Sequence, residues 1–385
     1  MASKNSSGGG KRSVRRAVKR QVKKLSTGQK VILIIVLIVV LAVCVALAYH
    51  FGWFSPQENN TPTPISDGTM SFTFLETGNK YAGDSIFVQV GNIDILIDAG
   101  SKTNSIPTIS KFLNEHMADD LLDYVIVTHA HEDHYAGFAT SEGTDSLFDL
   151  YKVGTIIDFS MTNQKDTAAM YQNYLRERDE AIARGANHLT AAECIQQNKA
   201  VYSLSDTATM RVLDSKYYYE KASSGENEHS VCLLFTEGDH HFLFTGDLEA
   251  AGERELVKRN NLPQVDLYKA GHHGSKTSSS AELMEVIQPK VICVTCNAGS
   301  PEYTTEAENQ FPTQAFIDRV APYTSRVYVT TLSIDYKAGT YTSMNGVITV
   351  TIAGGEVVVN CSENDTVLKD TDWFRENRTC PAAWQ

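Results

Sequence analysis

The stretch THAHEDH, residues 128–134, directly follows the apolar run YVIV of residues 124–127. If the apolar run is a strand, His129 and His131 are two residues apart in extended backbone, so their imidazoles project to the same side and can bind one ion. Imidazole and carboxylate are ligands that zinc, manganese and iron accept, and the stretch contains no cysteine. A single histidine is more often a surface or core residue than a ligand, but three histidines and an aspartate at this spacing indicate a metal site.

The second half of the stretch indicates a further ion. Asp133 and His134 fall where the chain turns into the small residues that follow, so their side chains point away from the first pair and suit a second ion. Other strand-like runs also end in residues that can bind a metal, namely Asp98, Asp247 and the pair His272 and His273. Side chains at strand ends on one edge of a sheet converge, so the sequence predicts one site for two divalent ions.

The N-terminal residues predict a membrane anchor. Residues 1–30 contain ten Lys or Arg residues and no acidic residue, and residues 31–49 contain no charged residue. Such a run can cross a bilayer, which needs about 20 apolar residues. The basic residues before it and the aromatic residues after it predict a single-pass helix, with the N-terminus in the cytoplasm and the rest of the chain outside the cell. A cleaved signal peptide ending near Ala46–Ala48 is the alternative, but its apolar core would typically be only about 7–15 residues long.

Composition also divides the rest of the chain. The segment before residue 70 is rich in Pro, Asn, Thr and Ser, which is typical of a linker. From residue 70, short strand-like runs and helical segments form two strand-rich halves, which predicts an α/β (α+β) domain of two packed sheets flanked by helices. The predicted divisions are a basic cytoplasmic tail (1–30), a transmembrane helix (31–51), a linker (52–69), a domain that carries the metal site (70–361) and a polar C-terminal tail (362–385). Within the domain, residues 168–197 are predicted to be a helical, solvated insertion beside the site.

Charge restricts the partners of the predicted extracellular part. The chain has 34 basic and 46 acidic residues; ten basic and no acidic residues precede residue 58, which leaves 24 basic residues and a net charge of −22. Such a domain attracts polyanions poorly, because affinity for nucleic acids depends on Lys and Arg that neutralise phosphates. A nucleic-acid substrate would therefore have to bind through the site itself. The seven cysteines do not indicate a disulfide framework in so large a domain, although Cys361 and Cys380 could form one bridge.

Five ordered motifs resemble the metallo-β-lactamase superfamily of hydrolases, and more specifically the hydrolase domain of ComEC-type competence proteins, which import DNA. The motifs are FLETGNKYAGDS before ILIDAG, THAHEDHYAG, NEHSVCLLF, FLFTGDLEAAGEREL and HHGSKTS. The resemblance covers about residues 70–360 and implies an αββα sandwich. The usual Asp-Val-Gly-Gln-Gly-Asp opening is replaced by Glu76-Thr77-Gly78 with extra residues before Gly83-Asp84, so substrate contacts at that place are not carried over. The multi-spanning channel of such proteins is absent from this sequence, so transport is not expected.

The resemblance also implies a set of metal ligands. They are His129, His131 and His229 for one ion, Asp133, His134 and His272 for the other, and Asp247 as a bridge between the ions. His229 precedes a strand, as a third imidazole would, but a loop histidine near Glu226 and Glu228 is an equally good interpretation of the sequence.

Neighbouring residues have supporting roles in this scheme. Only one residue of the pair His272 and His273 can readily face the same ion; we assign His272 as the ligand and His273 as a donor to the leaving group or to a substrate oxygen. Asp98 is expected to orient a ligand histidine without binding metal itself. Its alternative role is to cap the Ala99–Gly100 turn.

The residues after the histidine pair are predicted to bind substrate. Ser275, Lys276 and Thr277 offer hydroxyls and a cation that could hold a phosphate oxygen. The alternative is a polar loop that caps the next helix.

The predicted function is metal-dependent hydrolysis outside the cell. Two cations about 3.5–4 Å apart lower the pKa of a bridging water, so the resulting hydroxide can attack without a protein nucleophile. The predicted cofactors are two divalent ions, with Zn²⁺ as the expected metal and Mn²⁺ as the alternative. The predicted catalytic residues are Asp133, Asp247 and His273.

The predicted substrate is a phosphodiester, either DNA or a cell-wall polymer, so the chain is expected to be a phosphodiesterase or nuclease. One alternative is an esterase for a cell-surface phosphoester of the choline phosphate type, and another is a metal-bound surface module without activity. A β-lactamase is the least expected of these functions. The membrane is the predicted site of attachment, and the sequence gives no evidence for a protein partner.

Overall fold

The computed structural model describes residues 70–223 and 225–385. The predicted cytoplasmic tail, transmembrane helix and linker, residues 1–69, lie outside the described residues. None of the helices within the described ranges is long and apolar enough to cross a membrane.

The first sheet has eight strands and combines antiparallel and parallel pairs. In chain order its strands are β1 (Ser71–Phe74), β2 (Ile86–Val90), β3 (Ile93–Ile97), β4 (Leu121–Val127), β5 (Lys152–Asp158), β6 (Asn187–Thr190), β15 (Ile348–Ala353) and β16 (Glu356–Cys361). Their spatial order is β16-β15-β1-β2-β3-β4-β5-β6. The pairs from β3 to β6 are parallel and the others are antiparallel.

The second sheet has the same number of strands and a similar plan. Its strands are β7 (Val201–Ser203), β8 (Ala208–Val212), β9 (Leu233–Glu237), β10 (His240–Phe244), β11 (Leu267–Lys269), β12 (Val291–Ala298), β13 (Val327–Asp335) and β14 (Thr340–Ser343). Their spatial order is β14-β13-β12-β11-β10-β9-β8-β7, with parallel pairs from β10 to β13. β12 is buried along its whole length, as expected for a strand covered on both faces.

Nine α-helices cover the outer faces of the sheets in the described ranges. They are α1 (Ile106–His116), α2 (Glu132–Tyr135), α3 (Leu147–Leu150), α4 (Ala169–Ala183), α5 (Ala191–Gln196), α6 (Ala250–Arg259), α7 (Ala281–Ile287), α8 (Gln314–Val320) and α9 (Asp372–Asn377). Apolar residues of α1, α3, α4 and α5 belong to the core cluster of the first sheet, and those of α6 to α9 belong to a second cluster on the other side of the second sheet. The layers are therefore helix, sheet, sheet and helix, which confirms the predicted mixed α/β sandwich.

The two sheets pack face to face through aromatic side chains. The ring centroid of Phe72 on β1 lies 4.6 Å from that of Phe242 on β10 and 5.3 Å from that of Phe235 on β9. All three rings are fully buried. Burying a side chain of this size contributes about 1.5–3 kcal/mol to folding, so these contacts help to fix one sheet on the other.

Two segments differ from what their composition suggests. The helical segment 168–197 contains β6, which pairs with β5 as an edge strand of the first sheet, so the segment is part of the sandwich. Residues 362–385 are folded against the second sheet, where Leu368, Phe374 and Trp384 are buried in its core cluster. Single apolar residues spaced among polar ones hide this packing in the sequence. Cys361 and Cys380 are free thiols in the structure, so the bridge considered between them is not formed.

Candidate metal centre

The side chains of the candidate centre follow the carboxyl ends of parallel strands. β3 and β4 run parallel in the first sheet, and β10 and β11 run parallel in the second. Asp98 follows β3, and the stretch 128–134 follows β4. Asp247 follows β10, and the turn Gly271–Gly274 follows β11. Ligands commonly bind at such strand ends, and here both sheets supply residues to one place.

Four side chains form the cluster at this place, which we call the four-residue cluster: Asp133, His134, Asp247 and His273. One ligand atom from each lies within 4.8 Å of the others. Oδ2 of Asp247 is 3.1 Å from Nε2 of His134 and 3.4 Å from Nε2 of His273. Nε2 of His273 is also 3.5 Å from Oδ2 of Asp133.

The cluster has the properties of a binding place for a divalent ion. Nε2 of His134 and Nε2 of His273 are buried and have no hydrogen-bond partner, although buried polar atoms are normally paired. Both atoms face the carboxylate of Asp247. Imidazole nitrogen and carboxylate oxygen are donors that Zn²⁺ and Mn²⁺ accept. The residues therefore fit a metal ion.

His129 and His131 lie beside the four-residue cluster. Nε2 of His129 is 3.0 Å from Nδ1 of His131, and the His129 and His134 ring centroids are 4.2 Å apart. Two nitrogens that bind the same zinc ion at about 2.0–2.1 Å in tetrahedral geometry would lie about 3.3 Å apart. In the structure the two rings share a hydrogen bond at 3.0 Å, next to the four-residue cluster.

His229 does not join these groups, although the resemblance assigned it to the first ion. Its Nδ1 lies 2.8 Å from the carbonyl oxygen of Tyr217, and its Nε2 accepts a hydrogen bond from the backbone N–H of Ala222 at 3.5 Å. Both ring nitrogens are thus occupied by a neighbouring loop. This placement favours the alternative of a loop histidine for His229.

The structure brings His273, and not His272, into the four-residue cluster, although His272 was assigned as the ligand. Nε2 of His273 belongs to the four-residue cluster, and its Nδ1 lies 2.8 Å from the carbonyl oxygen of Thr295. Nε2 of His272 is 3.9 Å from Oδ2 of Asp247, and its Nδ1 faces Glu249 at 3.4 Å. Both histidines have left-handed backbone conformations, with φ of 46° and 54°. These values turn the chain sharply, so that His273 points inward and His272 remains 23% exposed.

Asp98 holds His134 from behind the cluster. Its Oδ2 is 2.7 Å from Nδ1 of His134 and accepts a hydrogen bond from the Thr128 hydroxyl at 2.7 Å. Its Oδ1 accepts the backbone N–H of Thr128 at 2.8 Å. Because Asp98 engages Nδ1, Nε2 of His134 is left facing Asp247, which is the arrangement expected of a carboxylate that orients a metal ligand.

Two charged residues of the centre, Lys269 and Asp84, are not among the predicted site residues. Lys269 is buried, and its ammonium contacts the carboxylate of Asp84 and lies 3.5 Å from Oδ1 of Asp247. Oδ1 of Asp84 is 3.3 Å from Nδ1 of His273. In the sequence, Lys269 could have been recognised as a charged residue in the short strand-like run before the GHHG turn of residues 271–274.

The charges of the centre favour cations. Burial favours the neutral ring of His134, but the carboxylates of Asp247 and Asp98 outweigh it and hold the pKa of His134 well above its usual range. Burial would raise the pKa of Asp84, but Lys269 and His273 lower it to about 2. For His129, burial and the neighbouring histidines lower the pKa, which leaves the neutral imidazole that binds metals.

The predicted substrate residues lie on the His272 side of the centre. The Thr277 hydroxyl donates to Oε1 of Glu249 at 3.0 Å and lies 3.2 Å from Nδ1 of His272. Ser275 is 2.9 Å from Thr277, hydroxyl to hydroxyl, and Lys276 is exposed. The cap of helix α7 is the Ser280 hydroxyl, which accepts from Leu283, so residues 275–277 are not themselves its cap.

Comparison with known proteins relates the chain to a family. The profile of the Metallo-beta-lactamase superfamily matches residues 78–141, which include the stretch 128–134 and Asp98. "Recombination protein 2" of Haemophilus influenzae is 32% identical over 108 residues, which are 28% of this chain and 13% of that protein. "ComE operon protein 3" of Bacillus subtilis is 24% identical over 180 residues, which are 45% of this chain and 20% of that protein.

A third relative has a name of the same kind. "Competence protein ComA" of Neisseria gonorrhoeae is 33% identical over 122 residues, which are 30% of this chain and 16% of that protein. The matches span a fifth or less of the length of each of these relatives. Over these regions the chain is similar to the metallo-β-lactamase superfamily and to competence proteins of the ComEC type, and the strand-end site agrees with that similarity.

Proposed function

We propose that this chain hydrolyses phosphodiesters with two divalent ions, as a phosphodiesterase or nuclease anchored at the outer face of a membrane. The observation that carries the proposal is the four-residue cluster, in which two buried imidazole nitrogens without hydrogen-bond partners face the carboxylate of Asp247. Members of the superfamily are mostly metal-dependent hydrolases, which agrees with this reading.

The proposed ligands form two neighbouring groups. Asp133, His134 and His273 would hold one ion and His129 and His131 the other, with Asp247 next to both. When bound, two such ions activate water and stabilise the charge that develops on the attacking and leaving oxygens.

The remaining residues position these ligands and control protons. Asp98 keeps Nδ1 of His134 occupied at 2.7 Å. Lys269 offsets part of the negative charge of Asp84 and Asp247. His272 takes the role first assigned to His273: its Nδ1 faces Glu249, so its solvent-side ring can donate a proton from Nε2 to a leaving oxygen.

The proposed location rests on the N-terminal sequence. Ten basic residues precede a run of uncharged residues long enough for a bilayer, and basic residues are typical of the cytoplasmic side. The names of the competence relatives agree with a nucleic-acid substrate, and the proposal extends that substrate class to this chain.

Hydrolysis of a bis-aryl phosphate by the full-length chain in non-ionic detergent tests the proposal. We expect turnover after loading with Zn²⁺ or Mn²⁺, and loss of turnover in Asp247→Asn. Asp149→Asn is the matched control, because Asp149 belongs to an acidic group with Glu177 and Glu180 outside the centre, and it should retain activity.

A substrate panel then ranks the alternatives. Single-stranded DNA, duplex DNA and a choline phosphate ester are compared at equal metal content. Preference for the choline ester would replace the nuclease assignment with the esterase. Two bound ions without hydrolysis of any phosphodiester would contradict the proposed function and leave a metal-bound binding module.

A further inference from the structure

The segment that departs from the usual ComEC-type opening lies at the mouth of the centre. It has four residues, Asn79–Ala82, where the usual opening has one. The side-chain amide of Asn297 donates to the carbonyl oxygens of Asn79 and Tyr81 at 3.2 and 3.0 Å. The backbone N–H of Ala82 donates to Oε2 of Glu302 at 2.9 Å. The segment is therefore fixed to the second sheet and to the loop that contains Glu302.

Two side chains of this segment form a group of rings and ammonium ions with Tyr336. The centroids of Tyr81 and Tyr336 are 6.2 Å apart, with the rings at 87°. The ammonium of Lys80 lies 4.3 Å from the Tyr336 centroid and 5.4 Å from the Tyr81 centroid, and it donates to the Tyr336 carbonyl oxygen at 2.9 Å. The backbone bonds to Asn297 and Glu302 hold the segment that carries Lys80 and Tyr81.

The group is continuous with the candidate metal centre. The ammonium of Lys102 lies 5.1 Å from the Tyr81 centroid and 2.5 Å from Oε2 of Glu132, the residue before the ligand Asp133. The hydroxyl of Tyr303 donates to Oδ2 of Asp133 at 3.0 Å.

Tyr303 presents a ring to solvent at this place. It is 57% exposed, and its centroid lies 5.5 Å from that of Phe311. Phe311 in turn lies 5.8 Å from His273, centroid to centroid. The exposed ring is thus supported from the protein side and anchored to the centre through its hydroxyl.

We propose that Lys80, Tyr81, Lys102, Tyr303 and Tyr336 form a subsite, the tyrosine–lysine rim, that binds a nucleotide adjacent to the phosphodiester that is hydrolysed. The inference rests on the proposed function and names its substrate class as single-stranded nucleic acid. Bases that are not paired can stack on the tyrosine rings, and the lysines can contact the neighbouring phosphates.

The charges of the rim distinguish a nucleotide from a choline group. Aromatic rings can also bind a quaternary ammonium, but here the ammonium of Lys80 lies 4.3 Å from the Tyr336 centroid, and the ammonium groups of Lys80 and Lys102 lie 5.4 and 5.1 Å from the Tyr81 centroid. A second cation would be repelled, whereas a phosphate would be attracted. The lysines are also unusual in their surroundings, because the chain beyond residue 57 has a net charge of −22, with 24 of the 34 basic and all 46 acidic residues.

Binding of a short labelled oligothymidylate to the metal-free, full-length chain in detergent tests the rim by fluorescence anisotropy. Tyr81→Ala and Tyr336→Ala should each weaken binding about 10-fold, since stacking on one aromatic ring is worth about that factor or more. Lys80→Met should reduce the slope of log affinity against log salt by about 0.7. An abasic oligomer of equal length and charge should bind at least about 10-fold more weakly than the oligothymidylate.

Conservative and distant variants serve as controls. Tyr81→Phe keeps the ring and should retain binding. Tyr219→Ala removes an exposed tyrosine whose hydroxyl donates to Asp214, and Lys152→Met removes a lysine paired with Asp120. Both variants should bind the oligothymidylate as the wild type does.

The outcomes separate this inference from the proposed function. Equal binding of the abasic and base-containing oligomers, or unchanged binding in both alanine variants, would overturn the rim. Displacement of the oligonucleotide by phosphocholine would also overturn it and identify a choline site. Because binding is measured without metal, a chain that binds through the rim but hydrolyses nothing would contradict the proposed function alone.

Discussion

The ammonium of Lys269 is buried against the carboxylate of Asp84, and this ion pair joins the two sheets beneath the candidate metal centre. Asp84 precedes β2 of the first sheet, whereas Lys269 ends β11 of the second. Lys269 also lies 3.5 Å from Asp247, so one ammonium balances two buried carboxylates. A buried charge that loses its partner is costly, which makes this contact a sensitive point of the fold.

Replacing Lys269 should destabilise the metal-free chain. We expect Lys269→Met to lower the free energy of unfolding by about 3–5 kcal/mol, because the variant leaves buried carboxylates uncompensated. Urea denaturation measures the change. Lys290→Met is the control: Lys290 is an exposed lysine, paired with Asp266, and its loss should cost no more than about 1 kcal/mol. Adding Asp84→Asn to Lys269→Met should recover part of the loss, and a double variant no more stable than the single one would contradict this account.

Asp98 should act on metal affinity through His134. We expect Asp98→Asn to weaken zinc binding by about 10–100-fold, because the neutral amide replaces the carboxylate that lies against Nδ1 of His134. Competition with a fluorescent chelator measures the affinity. Asp158→Asn is the matched control, since Asp158 holds Nε2 of His188 at 2.9 Å outside the centre. Equal affinity in the wild type and Asp98→Asn would show that the carboxylate only supports the turn after β3.

The adjacent histidines should separate binding from turnover. We expect His273→Ala to lower metal affinity by at least about 10-fold, because its Nε2 belongs to the four-residue cluster. His272→Ala should keep the metal content and reduce turnover of a bis-aryl phosphate by about 10²–10⁴-fold, as expected for loss of a proton donor. Elemental analysis and steady-state kinetics on the same preparations give both quantities. The reverse pattern would restore the original assignment of His272 as the ligand.

Local sequence signals were sufficient to predict the site residues that directly follow a strand in the sequence. The apolar run 124–127 and the histidines after it predict β4 and the residues at its end, and the same reasoning places Asp98 and Asp247 at strand ends. Two packed sheets follow from the alternation of strand-like and helical segments. These features depend on side-chain periodicity over a few residues, which a single sequence contains.

Contacts between distant segments could not be predicted in this way. Lys269 meets Asp84 only because β11 and β2 belong to sheets that pack together. The choice between His272 and His273 depends on two left-handed backbone conformations, which no residue type at those positions requires. His229 precedes a strand, as a third ligand histidine would, but its Nδ1 lies at hydrogen-bond distance from the carbonyl oxygen of Tyr217.

Stability should depend on pH through Glu253, a buried residue of α6. Its carboxylate accepts the backbone N–H groups of Ser279 and Ser280, each at 2.6 Å, but burial outweighs these bonds and raises the pKa of Glu253 from 4.5 to about 7. The folded chain therefore binds this proton more tightly than the unfolded chain. The stabilisation is complete below pH 4.5 and is lost as the pH rises through about 7.

Glu253→Gln should remove this dependence while keeping an acceptor oxygen for one of the two backbone N–H groups, of Ser279 or Ser280. We expect the free energy of unfolding of the wild type, relative to that of the variant, to fall by about 3 kcal/mol between pH 4.5 and about pH 7. Urea denaturation across that pH range measures the change. Glu255→Gln on the same helix is a control of opposite sign: its hydrogen bond with Lys258 lowers the pKa of Glu255, so that stabilisation is lost as the pH falls. Parallel stability curves for the wild type and Glu253→Gln would show that the buried carboxylate does not hold its proton in the folded chain.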